Sequence, residues 1–198
     1  SVHDEMANSF DSSDSLRADH PREEADPDVA LIQERIERPA PLTWLFTGTD
    51  YRFDAVKSKR SFIEFFSDFI KRQAHRQLDV IVDSTYAEHA MLALNKNASW
   101  RVTRFEPDIV FVMLSPADLE QSDVDSFREA LHEFIEQLQD ENCAIVICLP
   151  SGKVTSNQDL RKESGDRIHE IAKARHVVVI EDIDHATPSS AEAEPEEL

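Results

Sequence analysis

Five short apolar runs recur along the chain, and each is followed by polar or turn-forming residues. A short, continuous apolar run predicts a strand that is covered on both faces of its sheet. The third run is the most apolar, so we expect it at the centre of the sheet. The runs cover residues 43–47, 79–83, 108–114, 144–149 and 177–180.

The segments between these runs carry apolar residues at the spacing of amphipathic helices. Ser61 and Glu64 have the arrangement of a capping box, which predicts a helix from residue 61 to about residue 78. The stripe formed by Phe62, Phe66 and Phe69 on that helix is expected to face the core. Further helices are predicted at residues 29–36, 86–95, 124–138 and 159–174.

Strands and helices alternate strictly, which predicts a parallel sheet with right-handed crossovers and helices on both faces. The expected fold class is therefore α/β, a three-layer α/β/α sandwich with five parallel strands. The predicted strand order is 2-1-3-4-5, as in flavodoxin-like folds. At 198 residues, of which 40% are hydrophobic, the chain is long enough to bury a core of this kind.

The charge of the chain is concentrated at its two ends. The formal net charge is −19, and residues 1–40 carry 11 acidic and 4 basic side chains, while residues 181–198 carry 7 acidic side chains. We therefore expect an acidic, mostly disordered segment at 1–40, a folded domain at 41–185 and a disordered acidic tail at 186–198. So acidic a chain is expected to bind neither nucleic acid nor an anionic membrane surface.

The two cysteines, Cys143 and Cys148, fall within one apolar run. On a strand they would lie too far apart to form a disulfide, and their spacing matches no zinc motif. Two free thiols are typical of a reducing compartment, and the first thirty residues show no apolar signal segment. The expectation is a cytoplasmic protein without a membrane-spanning helix.

Polar residues follow the predicted strands at one edge of the sheet. In parallel sheets the carboxyl ends of the strands share that edge, where ligands bind. Gly48 allows a sharp turn after the first strand and would place Asp50 at the edge. Other polar residues expected there are Asp54, Ser84, Thr85, His89, Ser115, Asp118, Asp182 and His185.

In this order and spacing the chain resembles the SGNH, or GDSL-like, hydrolases over roughly residues 42–182. The run from Thr43 to Gly48 is similar to the family's first block, in which a strand leads into Gly-Asp-Ser. The stretch from Arg104 to Asp108, followed by the third apolar run, is similar to the approach to the family's Gly-x-Asn-Asp block. The later helices and strands also resemble those of the family.

The residues at the family's functional positions differ. The position of the nucleophilic serine holds Asp50, and the position of the oxyanion glycine falls near Thr85. Ala117 stands in place of the oxyanion asparagine. Asp182 and His185 have the Asp-x-x-His spacing of the family's last block, in which the histidine is the base. The resemblance therefore implies the fold of an esterase without most of its catalytic residues.

Acyl transfer needs an activated nucleophile and donors aimed at the developing oxyanion. A carboxylate at position 50 is a poor acyl acceptor, and the side chain of Ala117 donates no hydrogen bond. We therefore expect a catalytically degenerate domain that acts as a binding or structural module for a small molecule or a protein. No cofactor is expected, because the glycines are too widely spaced for a nucleotide-binding loop.

Two alternatives remain open at the level of sequence. One is an active hydrolase with a displaced catalytic set, in which His185 or His89 activates Ser84 or Ser115. The other is a metal-dependent phosphoryl-transfer site built from carboxylates at several strand ends. The carboxylates considered for that metal site are Asp50, Asp54, Asp118 and Asp182.

Overall fold

The structure, a computed structural model, describes residues 27–49, 61–85, 96–120, 123–150 and 158–181. These residues include a five-stranded sheet in which all neighbouring strands are parallel, in the order β2-β1-β3-β4-β5. Both the parallel pairing and the strand order are as predicted, and β3 is central. The strands are β1 (Thr43–Gly48), β2 (Val80–Thr85), β3 (Ile109–Met113), β4 (Ala144–Cys148) and β5 (Val178–Ile180).

Helices cover both faces of the sheet, which confirms the predicted three-layer sandwich. The predicted helices near residues 29–36, 124–138 and 159–174 are found with ends shifted by up to two residues, whereas the helix predicted at 86–95 lies outside the described residues. The helices are α1 (Pro27–Glu37), α2 (Phe62–Asp68), α3 (Ala98–Arg101), α4 (Pro116–Leu119), α5 (Val124–Asp140) and α6 (Gln158–Arg175).

Alternate residues of the strands point into two separate apolar cores. On one face, Leu45 and Val110 pack with the buried sides of α5 and α6. On the other, Trp44 and Phe46 pack with residues of α2 and with Ile32 of α1. Because β1, β3 and β4 are covered on both sides, their sequences are continuously apolar rather than alternating.

The aromatic stripe of α2 is only partly buried. Phe66 meets the rings of Trp44 and Phe111 at centroid distances of 5.1 and 5.2 Å, and so belongs to the core as predicted. Phe69, however, is 51% exposed, and its predicted place in the core is wrong. Ile70, four residues after Phe66 and 4% exposed, takes the core-facing position instead, because i and i+4 share a helix face.

The second helix also ends earlier than predicted. The Ser61–Glu64 capping box is present, but α2 changes at Phe69 into a π-helical turn (Phe69–Gln73). The chain then leaves the helix, and His75 adopts a left-handed conformation with φ of 54°. Arg76 follows this residue and faces the segment that precedes β1. Its guanidinium donates to the carbonyl oxygens of Ile36, Arg38 and Ala40.

Asp79 is a buried charge between this arginine and the start of β1. It was predicted as the first residue of the second strand, but it precedes β2 and is 6% exposed. Its carboxylate accepts hydrogen bonds from Leu42 N at 2.9 Å, Trp44 Nε1 at 2.7 Å and Arg76 Nε at 2.6 Å. Burial alone would raise the pKa of Asp79, but these hydrogen bonds outweigh it and hold the pKa below 3.8.

Helix α1 is attached to the amino ends of β3 and β4 through Arg35, which is 4% exposed. Arg35 Nη1 donates to Asp108 Oδ1 at 3.3 Å, and Nη2 donates to the carbonyl oxygen of Asn142. The second oxygen of Asp108 accepts from Thr43 N at 2.8 Å. One carboxylate therefore joins α1, β1 and β3.

The domain boundaries predicted at residues 41 and 185 stay predictions.

Both cysteines are buried and neither forms a disulfide, as expected from their spacing. Burial raises the pKa of Cys143 to about 11 and the pKa of Cys148 to about 12, so both thiols are neutral near pH 7. Within the described ranges, none of the helices has the length and apolar character required to span a membrane.

Candidate functional site

The carboxyl ends of β1, β2 and β3 are level with one another. Gly48 is paired in register with Thr85 on one side and with Met113 on the other. Gly48 has φ of 87°, and the following Thr49 N donates to Met113 O at 2.8 Å. The sharp turn predicted at Gly48 is therefore present. Asp50, the residue predicted at the nucleophile position, lies outside the described residues, as does Asp54.

The two hydroxyl groups at the end of β2 donate hydrogen bonds to neighbouring protein groups, one to a backbone carbonyl oxygen and the other to the carboxylate of Asp83. Ser84 Oγ donates to Arg101 O at 2.7 Å, which connects β2 to α3. Thr85 Oγ1 donates to Asp83 Oδ1 at 2.6 Å, and Thr85 N donates to the same oxygen at 3.0 Å. Thr85, the residue predicted near the oxyanion glycine, is thus adjacent to Gly48. His89 lies outside the described residues.

The residues after β3 form the one-turn helix α4, which the sequence analysis missed. Ser115 is its N-cap: Ser115 Oγ accepts from Asp118 N at 3.2 Å and donates to Asp118 Oδ2 at 2.9 Å. Asp118 Oδ2 also accepts from Ser115 N at 2.8 Å, which completes a capping box. A serine cap, Pro116 at the first helical position and an acidic residue three after the cap are the sequence signal for such a turn.

Within α4, the two residues aligned with the family's third block have different environments. The side chain of Ala117, predicted at the oxyanion asparagine position, is exposed on the turn. Asp118, predicted as a metal ligand, is 2% exposed, and one of its oxygens accepts two hydrogen bonds from Ser115. The described part of the chain holds no group of three or more histidine, cysteine or acidic side chains arranged for a metal ion.

The last predicted block, Asp182 and His185, lies outside the described residues, the last of which is Glu181.

The same edge of the sheet carries a feature that the sequence analysis missed. A cleft of about 350 Å³ lies beyond the carboxyl ends of β4 and β5. Its lining residues are Leu119, Leu149, Pro150, Gln158, Arg161, Lys162, Gly165, Asp166, His169 and Glu181.

Among solved structures, the fold is similar to that of several carbohydrate esterases and lipases. The acetyl xylan esterase AlAXEase superposes with a TM-score of 0.61 at 15% identity, over 71% of this chain and 77% of the esterase. Axe2, an acetylxylan esterase from Geobacillus stearothermophilus, gives a TM-score of 0.56 at 14% identity, over 70% of this chain and 75% of Axe2.

A putative GDSL-like lipase from Parabacteroides merdae gives a TM-score of 0.55 at 14% identity, over 73% of this chain and 79% of the lipase. No protein-family model matches the sequence, and no curated protein matches it either. At these identities the likeness concerns the fold. The chain therefore has the SGNH-hydrolase fold, as the sequence blocks implied.

Proposed function

We propose that this chain is a catalytically degenerate SGNH-hydrolase-like domain that acts as a binding or structural module. The observation that carries the proposal is the structure of the turn after β3. Where the family's third block has an asparagine that donates to the oxyanion, this chain has Ala117, whose methyl group is exposed on α4. The loss of one such donor lowers the rate of acyl transfer by about 10²–10³.

The residue at the nucleophile position adds to this argument. By the resemblance of the first block, Asp50 stands at that position, two residues after Gly48 in the sequence. Acylation of a carboxylate gives a reactive anhydride, and the negative charge of the free carboxylate would oppose the development of an oxyanion beside it. Two independent requirements of the mechanism, the nucleophile and the oxyanion donor, are therefore unmet.

A displaced catalytic set gains little support from the two serines at the strand ends. A hydroxyl group has one proton to donate. Ser84 donates it to the carbonyl oxygen of Arg101, and Ser115 donates it to Asp118. A nucleophilic serine instead needs to donate to its general base. Both hydroxyls therefore have a structural role in this conformation, which favours the module over the displaced hydrolase.

The metal-dependent alternative is weakened by the position of Asp118. A magnesium site needs carboxylate oxygens that are open to the ion. Asp118 is buried and caps α4 through the oxygen that accepts from Ser115. A cation would have to compete with that capping box, so the module is favoured over the metal-dependent site.

Ester hydrolysis by the purified full chain tests the proposal directly. With p-nitrophenyl acetate and butyrate, we expect no turnover above that of the Ser84→Ala and Ser115→Ala variants. Ser126→Ala is the matched control, because Ser126 donates to Asp123 at the start of α5 and is not one of the serines considered as a nucleophile. Turnover by the wild type that is lost in Ser84→Ala or Ser115→Ala, but kept in Ser126→Ala, would overturn the proposal.

A further inference from the structure

The cleft beyond β4 and β5 combines an apolar floor with cationic side chains from one helix. Leu119, after β3, and the adjacent Leu149 and Pro150, after β4, supply apolar surface from two segments of the chain. Arg161 and Lys162 approach from the first turns of α6. Ligand sites in proteins are mostly apolar clefts with a few placed polar groups, and this cleft has that composition.

The guanidinium of Arg161 is held at the cleft with part of its hydrogen-bonding capacity unused. Its Nη2 donates to the carbonyl oxygen of Pro150, at the end of β4, which fixes the group against the sheet. Its Nη1 is shielded from solvent and, among the described residues, has no hydrogen-bond partner. A buried donor without a partner costs about 1–3 kcal/mol, so an acceptor that meets Nη1 gains more than it would from a solvated donor.

The remaining charges of the cleft restrict which anion fits. Asp166 and Glu181 also line it, and Glu181 pairs with His169 at 2.6 Å between Oε1 and Nε2. The two cationic residues are therefore nearly balanced by two acidic ones. A dianion such as phosphate would be repelled by these carboxylates, whereas a single carboxylate can meet Arg161 and Lys162 while its apolar body rests on the floor.

We propose that this cleft binds a small monocarboxylate with an aliphatic body, its carboxylate at Arg161 and Lys162 and its chain against Leu119 and Leu149. The inference rests on the proposed binding role of the domain and gives it a place and a class of ligand. The bound carboxylate would accept hydrogen bonds from Arg161 Nη1 and from the Lys162 ammonium group. No bond is made or broken in this binding.

The test is a titration of the full chain with hexanoate, followed by amide NMR shifts. We expect saturable shifts at Leu149, Lys162 and Gly165, which line the cleft. Hexan-1-ol, which has the same chain without the charge, should bind at least about ten-fold more weakly, since a hydrogen bond to a charged group contributes about 1.5–3 kcal/mol. Inorganic phosphate should also bind more weakly than hexanoate.

Two variants and a matched control separate binding from folding. Arg161→Gln is expected to weaken hexanoate binding on the order of ten-fold to a hundred-fold. Lys162→Gln changes an exposed residue and should weaken binding without affecting the fold. Arg167→Gln makes the same change of charge on the same helix, but Arg167 pairs with Glu170 and does not line the cleft, so binding should be unchanged.

Each outcome is informative. Absence of saturable shifts in the wild type, equal binding of hexan-1-ol, or tighter binding of phosphate would overturn the monocarboxylate site. An equal loss of binding in Arg167→Gln would also overturn it. Ester hydrolysis measured on the same samples distinguishes the two proposals. Turnover together with intact hexanoate binding would refute the degenerate domain and keep the cleft. If the protein shows neither turnover nor hexanoate binding, only the cleft proposal is refuted.

Discussion

Gly48 and Met113 approach so closely that no side chain fits between them. A Cβ atom built on Gly48 would lie 2.1 Å from the carbonyl oxygen of Met113, which accepts the hydrogen bond from Thr49 N at 2.8 Å. Gly48 also has φ of 87°, a conformation that residues with a Cβ rarely adopt. The contact joins the carboxyl ends of β1 and β3 at the edge where the candidate site lies.

We therefore expect Gly48→Ala to lower the free energy of unfolding by about 2–4 kcal/mol, because overpacking and a left-handed backbone both penalise the methyl group. Urea unfolding measures the change. Gly165→Ala is the matched control: it lies within α6 with no atom within 4 Å of the added Cβ, and should raise the free energy of unfolding by about 0.5–1 kcal/mol. Equal stability of the two variants would contradict the prediction.

Asp79→Asn should lower the free energy of unfolding by about 2–4 kcal/mol. The amide removes the negative charge that pairs with Arg76. It also places an NH₂ group opposite one of the three N–H donors that now donate to the Asp79 carboxylate. Asp140→Asn, an exposed change on α5, is the control and should change the free energy of unfolding by less than about 0.5 kcal/mol. A loss in Asp79→Asn no larger than in the control would show that the buried pair contributes nothing.

The pH dependence of stability should carry the same signature. Because the pKa of folded Asp79 is lowered below 3.8, its stabilising contribution is complete above that value and is lost as the pH falls through the folded pKa. Urea unfolding from about pH 5 to about pH 2 measures this. The wild type should lose more stability over this interval than Asp79→Asn does, and parallel curves for the two proteins would refute the assignment.

The cysteines should resist alkylation in the folded protein. With pKa values raised to about 11 and about 12, Cys143 and Cys148 are almost entirely thiols at pH 8, and burial shields both. Mass spectrometry after iodoacetamide treatment should show an unmodified native protein and a doubly modified one in urea. Alkylation of Cys148 in the native protein at the rate of a free thiol would contradict this.

Restoration of single family residues should not create an esterase. Asp50→Ser supplies a nucleophile but leaves no asparagine at 117, and Ala117→Asn supplies a donor without a nucleophile. Each single variant is expected to hydrolyse p-nitrophenyl acetate no faster than the wild type. Asp50→Ser still lacks an oxyanion donor, whose loss costs about 10²–10³ in rate, and Ala117→Asn has no nucleophile to acylate. Turnover by Asp50→Ser alone would mean that another group already serves as the oxyanion donor.

Magnesium is expected to leave the melting temperature of the wild type unchanged. A ligand that binds the folded state stabilises it in proportion to the logarithm of its concentration over its Kd, so a site would be visible as a rise in melting temperature. Asp118→Asn tests the carboxylate that caps α4. A rise with Mg²⁺ in the wild type that is absent in Asp118→Asn would support the metal site instead of the module.

The pattern of apolar residues determined the layers and the order of this fold. The five strands and the long helices followed from local periodicity, because continuous apolar runs have a stable place only in a sheet that is buried on both faces. The turn at Gly48 could also be predicted from the sequence, since a glycine at the end of a strand indicates a backbone conformation that residues with a Cβ rarely adopt. These features depend on neighbours in sequence or on one general rule of topology.

The tertiary structure decided the features that depend on residues far apart in the chain. Arg76 meets the carbonyl oxygens of residues 36–40 earlier in the chain, and this contact accompanies the early end of the second helix. The capped turn at Ser115 was signalled locally, but the burial of Asp118 was not. The cleft at Arg161 is assembled from segments around β3, β4 and β5. Such contacts are set by packing across the sheet, for which the sequence carries no periodic signal. The edge of the sheet that holds the candidate site could therefore be predicted from the sequence, but the cleft at Arg161 could not.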